Sequence, residues 1–257
     1  MIVSCGAMPK PVPKPPPGNR PLKTLERVLS KAGLGSRTEA RRWVGEGRVQ
    51  VNGRGAGDPD MWVDLERDSV TFDGKPVGAP ERLYLLLHKP AGYLTTYDDP
   101  RGRATIYDLL PEGTPYVFQV GRLDLDTSGL LIVTNDAQFA ERVTNPQFHV
   151  PKTYLVNASR SMNDDELEQL RRGVSLKDGP TRPATVTRTG AAAFEITITE
   201  GRNRQVRRMV EALGATVETL VRIAIGSITL GTLESGKTRP LDAEEVRRLV
   251  SGPDSPS

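Results

Sequence analysis

Leu130-Leu131-Ile132-Val133 is a run of four apolar residues, far too short to span a membrane and the right length for a strand buried in a core. Asn135 and Asp136 follow it as good N-caps for a helix over Ala137 to Thr144. The entry to the run is less ordinary. Gly121-Arg122-Leu123-Asp124-Leu125-Asp126-Thr127-Ser128-Gly129 sets two carboxylates two residues apart, beside an arginine and between glycines, where the strand begins. Asp-x-Asp-Thr-Ser-Gly reads as turn chemistry, with side chains bonding to local amides. The same residues also read as a pair of carboxylates available for chemistry, and spacing alone does not choose between the two.

The rest of the composition narrows the function classes. With 257 residues the chain buries a substantial core, in one large domain or two unequal ones. Cys5 is the only cysteine, so there is no disulfide framework and no cysteine metal site. His88 and His149 are too few and too scattered for a metal centre. Met1 to Met8 lacks the basic start and long apolar core of a signal peptide, which makes the cytoplasm the expected compartment.

Pro9 to Gly18 is a proline and lysine tract that builds no core and is expected to be a disordered tail over residues 1–20. Leu22, Leu25, Val28 and Leu29 then fall on one face of a helix. Gly33-Leu34-Gly35 ends it, Ser36 and Glu39 form a capping box for a second helix through Trp43 and Val44, and Arg48 to Gly53 reads as a strand entering a turn. Residues 21–54 hold eight Lys/Arg against three acids, a net +5, whereas residues 55–80 carry a net −4. The basic helical face has a plain reading as a solvated surface and a sharper one as a phosphate contact. A helix-turn-helix DNA reader is the competing interpretation of the two helices, but it lacks the Val-x-Val-Asn-Gly hairpin.

Beyond a linker at Gly78 to Glu81, strands are expected at Leu83 to Leu87, Pro151 to Val156, Ala184 to Arg188, Phe194 to Thr199, Val217 to Ile225 and Ile228 to Leu233. Asn163 and Glu166 cap a helix to Arg172, and Asp242 and Glu245 cap a last one through Val250. Between them lies Thr199-Glu200-Gly201-Arg202-Asn203-Arg204-Gln205-Val206-Arg207-Arg208-Met209, with Asn203 as the expected N-cap and Gly214 as a left-handed C-cap. Four arginines around this helix entry form an anion-attracting patch.

Four segments together resemble a known family. Gly-Arg-Leu-Asp-x-Asp-Thr-x-Gly-Leu-Leu from Gly121, Lys89-Pro90-x-Gly92, Lys152-x-Tyr154 and Gly201-Arg202-x-x-Gln205-Val206-Arg207-Arg208 are similar to the motifs of ribosomal RNA pseudouridine synthases of the RsuA/RluB family. Thr105 to Pro111 matches a further segment, and Lys89 and Tyr107 are read as structural. Ser36-Arg37-x-Glu39-Ala40 and Gly47-Arg48-Val49-x-Val51-Asn52-Gly53 resemble the S4-like RNA-binding module.

The resemblance implies an α+β architecture: an S4-like domain over 21–78, then a catalytic domain over 83–250 with a mixed, largely antiparallel sheet, and a loose tail over 251–257. It implies Asp124 as nucleophile, Arg207 as its paired cation and Tyr154 as the ring that stacks on the target base. RNA contacts are implied for Arg122, Arg37, Arg41, Arg42, Arg48, Lys152, Arg202, Arg204, Gln205 and Arg208. The family often has His where Arg204 stands, so no catalytic role is implied there, and Asp126 is read as a turn former. Isomerising uridine involves no net redox change and requires no metal or organic cofactor. The implied partner is ribosomal RNA or a pre-ribosomal particle, met by a monomer. Thr199 to Arg204 and Arg207-Arg208-Met209 lean towards the RluB side, whose substrate is large-subunit rRNA. A catalytically inactive rRNA-binding relative, and a glycosidase using Asp124 and Asp126 as paired carboxylates, are the competing readings.

Overall fold

The computed structural model describes residues 22–65, 67–78 and 81–251, and the expected N-terminal tail and residues 252–257 lie outside them. The chain divides into two compact units, Met1–Glu81 and Arg82–Ser257.

In the first unit, helix α1 (Leu25–Lys31) and helix α2 (Arg37–Gly45) pack over a small four-stranded sheet built from Val49–Val51, Arg54–Gly55, Val70–Phe72 and Lys75–Pro76. Leu22 falls outside α1, because Lys23–Thr24 is instead paired with Trp62–Val63. The expected capping box is formed: Glu39 N donates to Ser36 Oγ at 3.2 Å and Ser36 N to Glu39 Oε2 at 2.8 Å. Asn52 and Gly53, at φ 53° and 74°, make the two-residue turn that sets Val51 opposite Arg54. Leu25, Val28, Leu29, Ala40, Trp43, Val44 and Val49 close a core of their own.

In the second unit, nine strands among the described residues form one sheet. Its central strands are β1 (Tyr84–Lys89), β2 (Phe118–Val120), β3 (Ser128–Thr134), β4 (Lys152–Ala158), β5 (Thr185–Arg188), β6 (Ala193–Ile198), β7 (Val217–Ile225), β8 (Ile228–Thr229) and β9 (Thr238–Pro240). The spatial order is β5-β6-β4-β7-β3-β1-β9, with β2 paired to β3 and β8 to β7. Every pairing is antiparallel except β7 with β3. The run Leu130 to Val133 is wholly buried in β3, with β1 along one side and β2 against Ile132 and Val133 on the other, where β7 pairs with the residues just before the run. Helix α3 (Ala137–Thr144) is capped by Asp136, whose side chain accepts from Gln138 N and Phe139 N. Helix α4 (Asp164–Arg172) and helix α6 (Ala243–Ser251) are entered through the expected Asn163–Glu166 and Asp242–Glu245 pairs. Helix α5 (Gln205–Glu211) differs from expectation. Its N-cap is Arg204, in the left-handed region at φ 48°, not Asn203, because Gln205 Oε1 already accepts from Arg202 N and closes the turn one residue later.

The parallel β3–β7 pairing depends on one glycine. Gly129 has φ +107°, and a Cβ built there would lie 2.3 Å from the carbonyl oxygen and 2.5 Å from the amide nitrogen of Arg222. Both obstacles are backbone, so a side chain has nowhere to go. Gly129→Ala is expected to destabilise the chain by about 3 kcal/mol or more, combining left-handed strain with overpacking. Thermal unfolding checks this; a midpoint within a degree of the parent would show that the two strands separate freely.

Candidate active site

The segment Leu123 to Thr127 leaves the sheet as a tight turn, with Thr127 N donating to Asp124 O at 3.1 Å. What fixes it is the capture of five successive carbonyls. Leu123 O accepts from Thr95 Oγ1 at 2.8 Å, and Asp124 O and Thr127 O accept from Lys89 Nζ at 3.1 and 2.8 Å. Leu125 O accepts from Gly92 N at 2.7 Å, and Asp126 O from Arg207 Nη2 at 3.0 Å. Lys89-Pro90-x-Gly92 and the arginine-rich segment are thereby explained: both hold this turn from the far side. Lys89 is fully buried, and burial pushes its ammonium down to about 8, with Asp126 and Asp124 partly opposing. Tyr107 lies off the turn, its hydroxyl donating to Gln119 Oε1 at 2.9 Å.

The turn forms one edge of a pocket of about 500 Å3. Arg122, Asp124, Lys152, Tyr154, Arg202, Arg204, Gln205 and Arg222 are among the residues that line it. Asp124 keeps 34% of its side chain exposed, so its carboxylate is open to a ligand. Tyr154 stands on β4 directly opposite Arg222 of β7, half-buried, with its ring against both the pocket and the core. Arg122 is exposed at the rim. Lys152, two residues before Tyr154 and on the same sheet face, is drawn inward, and burial lowers its ammonium to about 8.

The cations are distributed differently from the expectation. Arg207 does not pair with Asp124. It is 5% exposed, and its guanidinium donates to Val217 O at 3.0 Å and to Asp126 O, with Asp126 Oδ2 at 3.3 Å. Among the described residues the cation nearest the Asp124 carboxylate is Arg204, whose Nη1 stands 3.9 Å from Oδ2. Arg204 also bonds both oxygens of Asp126, at 3.1 and 3.0 Å. Asp126 is therefore an anchor for two arginines, which a turn-forming reading misses. Burial pushes its carboxyl up, but the Arg204 hydrogen bonds and the charges of Arg207 and Arg204 outweigh this and hold it below the usual range. Both oxygens of Asp126 are bound by arginines within the protein, which leaves Asp124 without a second free carboxylate for paired-carboxylate glycosidase chemistry.

Three residues expected at RNA are engaged within the protein. Gln205 is 3% exposed; its amide accepts from Arg202 N and donates to Glu200 Oε1 at 2.6 Å. Arg202 donates to the carbonyls of Gly179 and Pro180 at 2.9 and 2.5 Å. Arg208 grips both oxygens of Asp178, at 2.8 and 3.1 Å. The first unit shows a similar pattern. Arg41 pairs with Glu26 and Asp60, Arg37 with Glu26, Arg42 with Glu46, and Arg48 with Asp73 while lying 4.7 Å over the Phe72 ring. From the acidic stretch after residue 55, Asp60 thus returns onto the second helix and Asp73 onto Arg48 beyond it, so the charge separation seen along the sequence is partly neutralised.

This arrangement has close counterparts. The RNA pseudouridylate synthase family model matches residues 83–212, and the S4 domain model matches residues 24–68. The chain belongs to the RNA pseudouridylate synthase family. An RNA pseudouridine synthase of Aquifex aeolicus (strain VF5) is 40% identical over 230 residues, covering 88% of this chain and 92% of that protein. Ribosomal large subunit pseudouridine synthase B of Bacillus subtilis (strain 168) is 36% identical over 234 residues, covering 89% and 96%. A crystal structure of a pseudouridylate synthase superposes with a TM-score of 0.66 at 32% identity, over 88% of this chain and 99% of that one. The architecture read from the sequence stands: an S4 domain precedes a pseudouridine synthase domain with a mixed, mainly antiparallel sheet. Among the described residues no helix is long and apolar enough to cross a membrane.

Proposed function

We propose that this synthase isomerises one uridine of large-subunit ribosomal RNA, in the cytoplasm and as a single chain, with Asp124 as nucleophile. The observation that carries the reading is the Asp124 carboxylate itself, one-third exposed at the edge of the pocket, on a turn whose five carbonyls are all held. Rigidity of this kind lets a carboxylate meet a sugar carbon without a reorganisation step. The target nucleotide leaves the RNA stack, at a cost of a few kcal/mol, and enters the pocket. The Tyr154 ring supplies a face for the uracil, worth about 1–3 kcal/mol for an unstacked base. Arg122 at the rim meets the flanking backbone or fills the gap. Arg207 acts on the turn through the Asp126 carbonyl rather than on Asp124. Release of tritium from C5-labelled uridine in rRNA transcripts tests the proposal, and mapping pseudouridines in rRNA from a deletion strain locates the site. Failure to release tritium from transcripts of either subunit would overturn it.

The S4 domain supplies the grip on RNA. The Arg42–Glu46 and Arg48–Asp73 pairs are exposed on both sides and individually weak, so phosphates replace those acids at little cost, while the buried Glu26 keeps Arg41 as a partner when Arg37 turns to a phosphate. Arg37→Gln and Arg42→Gln are each expected to weaken rRNA binding across sequences and to lower the salt slope of log Kd by about 1. An unchanged slope in the double variant would mean that this face meets only solvent.

A further inference from the structure

The pocket lining includes two cations, Arg222 and Lys152, that no carboxylate among the described residues pairs with. Arg222 is 2% exposed. Its Nε donates to Leu130 O at 2.7 Å, while its Nη2 is buried without a partner. Lys152 donates to Val150 O at 3.0 Å, leaving two of its three N–H groups for other partners. Among the described residues neither forms an ion pair with a carboxylate. The acids lining the pocket are engaged elsewhere: Glu200 accepts from Gln205, Arg202 and Arg182 N, and Asp124 faces Arg204. Lys89, the other buried cation nearby, is different, since three carbonyls take its ammonium. A buried guanidinium near a half-buried ammonium is unfavourable unless a ligand brings acceptors or negative charge.

The sheet register places these donors beside Tyr154. Tyr154 of β4 and Arg222 of β7 are directly opposite each other, and Lys152 lies two residues before Tyr154 on the same face. A base stacked on Tyr154 in this pocket would lie within reach of both cations. Each is donor-only, matching carbonyl oxygens and rejecting an exocyclic amine.

We propose that Arg222 and Lys152 form a site for the carbonyl oxygens of the detached uracil, holding the negative charge the base carries between loss and re-formation of its bond to the sugar. The inference rests on the pseudouridine synthase reading and adds to it where the charge goes. When C1′–N1 breaks, its electron pair stays on N1 and is delocalised onto O2 and O4. The ring turns, C5 supplies the electron pair for the new C1′–C5 bond, the proton on C5 is released, and N1 takes up a proton. Atoms and charge balance whichever way Asp124 assists the sugar. Donors preplaced at the developing oxyanion in a water-poor pocket act strongly, since they need no reorganisation.

Two measurements test this. In single-turnover tritium release, Arg222→Met is expected to lower the rate by about 100-fold or more and Lys152→Gln by about tenfold or more. RNA Kd stays within about twofold for both, since counterion release at phosphates is untouched. Arg222→Lys, which restores charge, regains about tenfold of the Met loss. Lys152→Gln guards against a purely structural effect, because its ammonium bonds only two residues along its own chain. A raised Kd with an unchanged rate would make the pair a phosphate anchor. A rate loss confined to Arg222→Met, not restored by Lys and accompanied by a lower thermal midpoint, would make Arg222 a strut between β7 and β3. Either result overturns the proposal. The second measurement is calorimetric titration with the 5-nitrouracil anion, using 1,3-dimethyluracil, which cannot ionise, as the control. The wild-type chain is expected to bind the anion and not the control, with about tenfold or greater weakening in both neutral variants. No binding, or binding that the variants leave unchanged, overturns the site. If the wild-type chain releases no tritium from any rRNA, the functional reading falls and the titration alone decides the anion site.

Discussion

Asp124→Asn is expected to bring tritium release from rRNA down to background while leaving RNA affinity within about twofold of the parent, because an amide keeps the shape of the carboxylate and loses its nucleophilicity. The structure makes this a clean substitution. The Asp124 side chain is partly exposed, and the turn is secured through main-chain carbonyls, not through that carboxylate. Thermal stability is therefore expected to change by less than about 0.5 kcal/mol, as for surface substitutions away from structural features. Activity within about tenfold of wild type would remove Asp124 as the nucleophile. Asp126→Asn is the matched control. It weakens the anchor for Arg204 and Arg207 without touching the proposed nucleophile, so a partial rate loss with lowered stability is expected.

Arg207→Met is the second large effect, and it works through geometry. The guanidinium joins the Asp126 carbonyl of the turn to the Val217 carbonyl at the start of β7. Methionine fills the space but leaves both carbonyls without that donor and Asp126 with one arginine instead of two. Stranding one partner of a buried pair costs about 3–5 kcal/mol, and the half-exposed Asp126 reduces this to about 2–3 kcal/mol. Turnover is expected to fall to background in the same variant, since a turn displaced by an ångström loses its attack geometry. Arg207→Lys retains the charge and one bond, and partial activity and stability are expected. Unfolding midpoints and single-turnover rates on the same preparations check both. Full turnover with lowered stability would show that the turn keeps its shape without Arg207.

Much of this molecule is written in local sequence. The Ser36–Glu39, Asn163–Glu166 and Asp242–Glu245 boxes start helices because their side chains reach amides three residues away, which any sequence reader can see. Leu130 to Val133 is a buried strand because four apolar residues in a row leave neither face for solvent. The motif at Gly121 to Leu131, with Lys152-x-Tyr154 and the arginine-rich segment, is enough to gather Asp124, Tyr154 and Lys152 in one pocket. Partner choice among charges was beyond sequence. Arg204 and Arg207 both follow the same glycine, and only the left-handed turn at Arg204 decides which guanidinium approaches Asp124 and which reaches back to the Asp126 carbonyl. Gln205, Arg202 and Arg208 look like an RNA patch along the chain, yet Glu200, Asp178 and the Gly179–Pro180 carbonyls are folded against them. Arg222 carried no signal at all, being one basic residue in an ordinary strand. Its meaning comes from lying beside Gly129 on one side and opposite Tyr154 on the other, a juxtaposition set by strand order. Helix starts and buried strands depend on neighbours a few residues away, so sequence determines them. Ion-pair partners and pocket linings depend on distant residues, as with Arg207 and Asp126, 81 positions apart, and Arg222 and Leu130, 92 apart, which only the tertiary structure brings together.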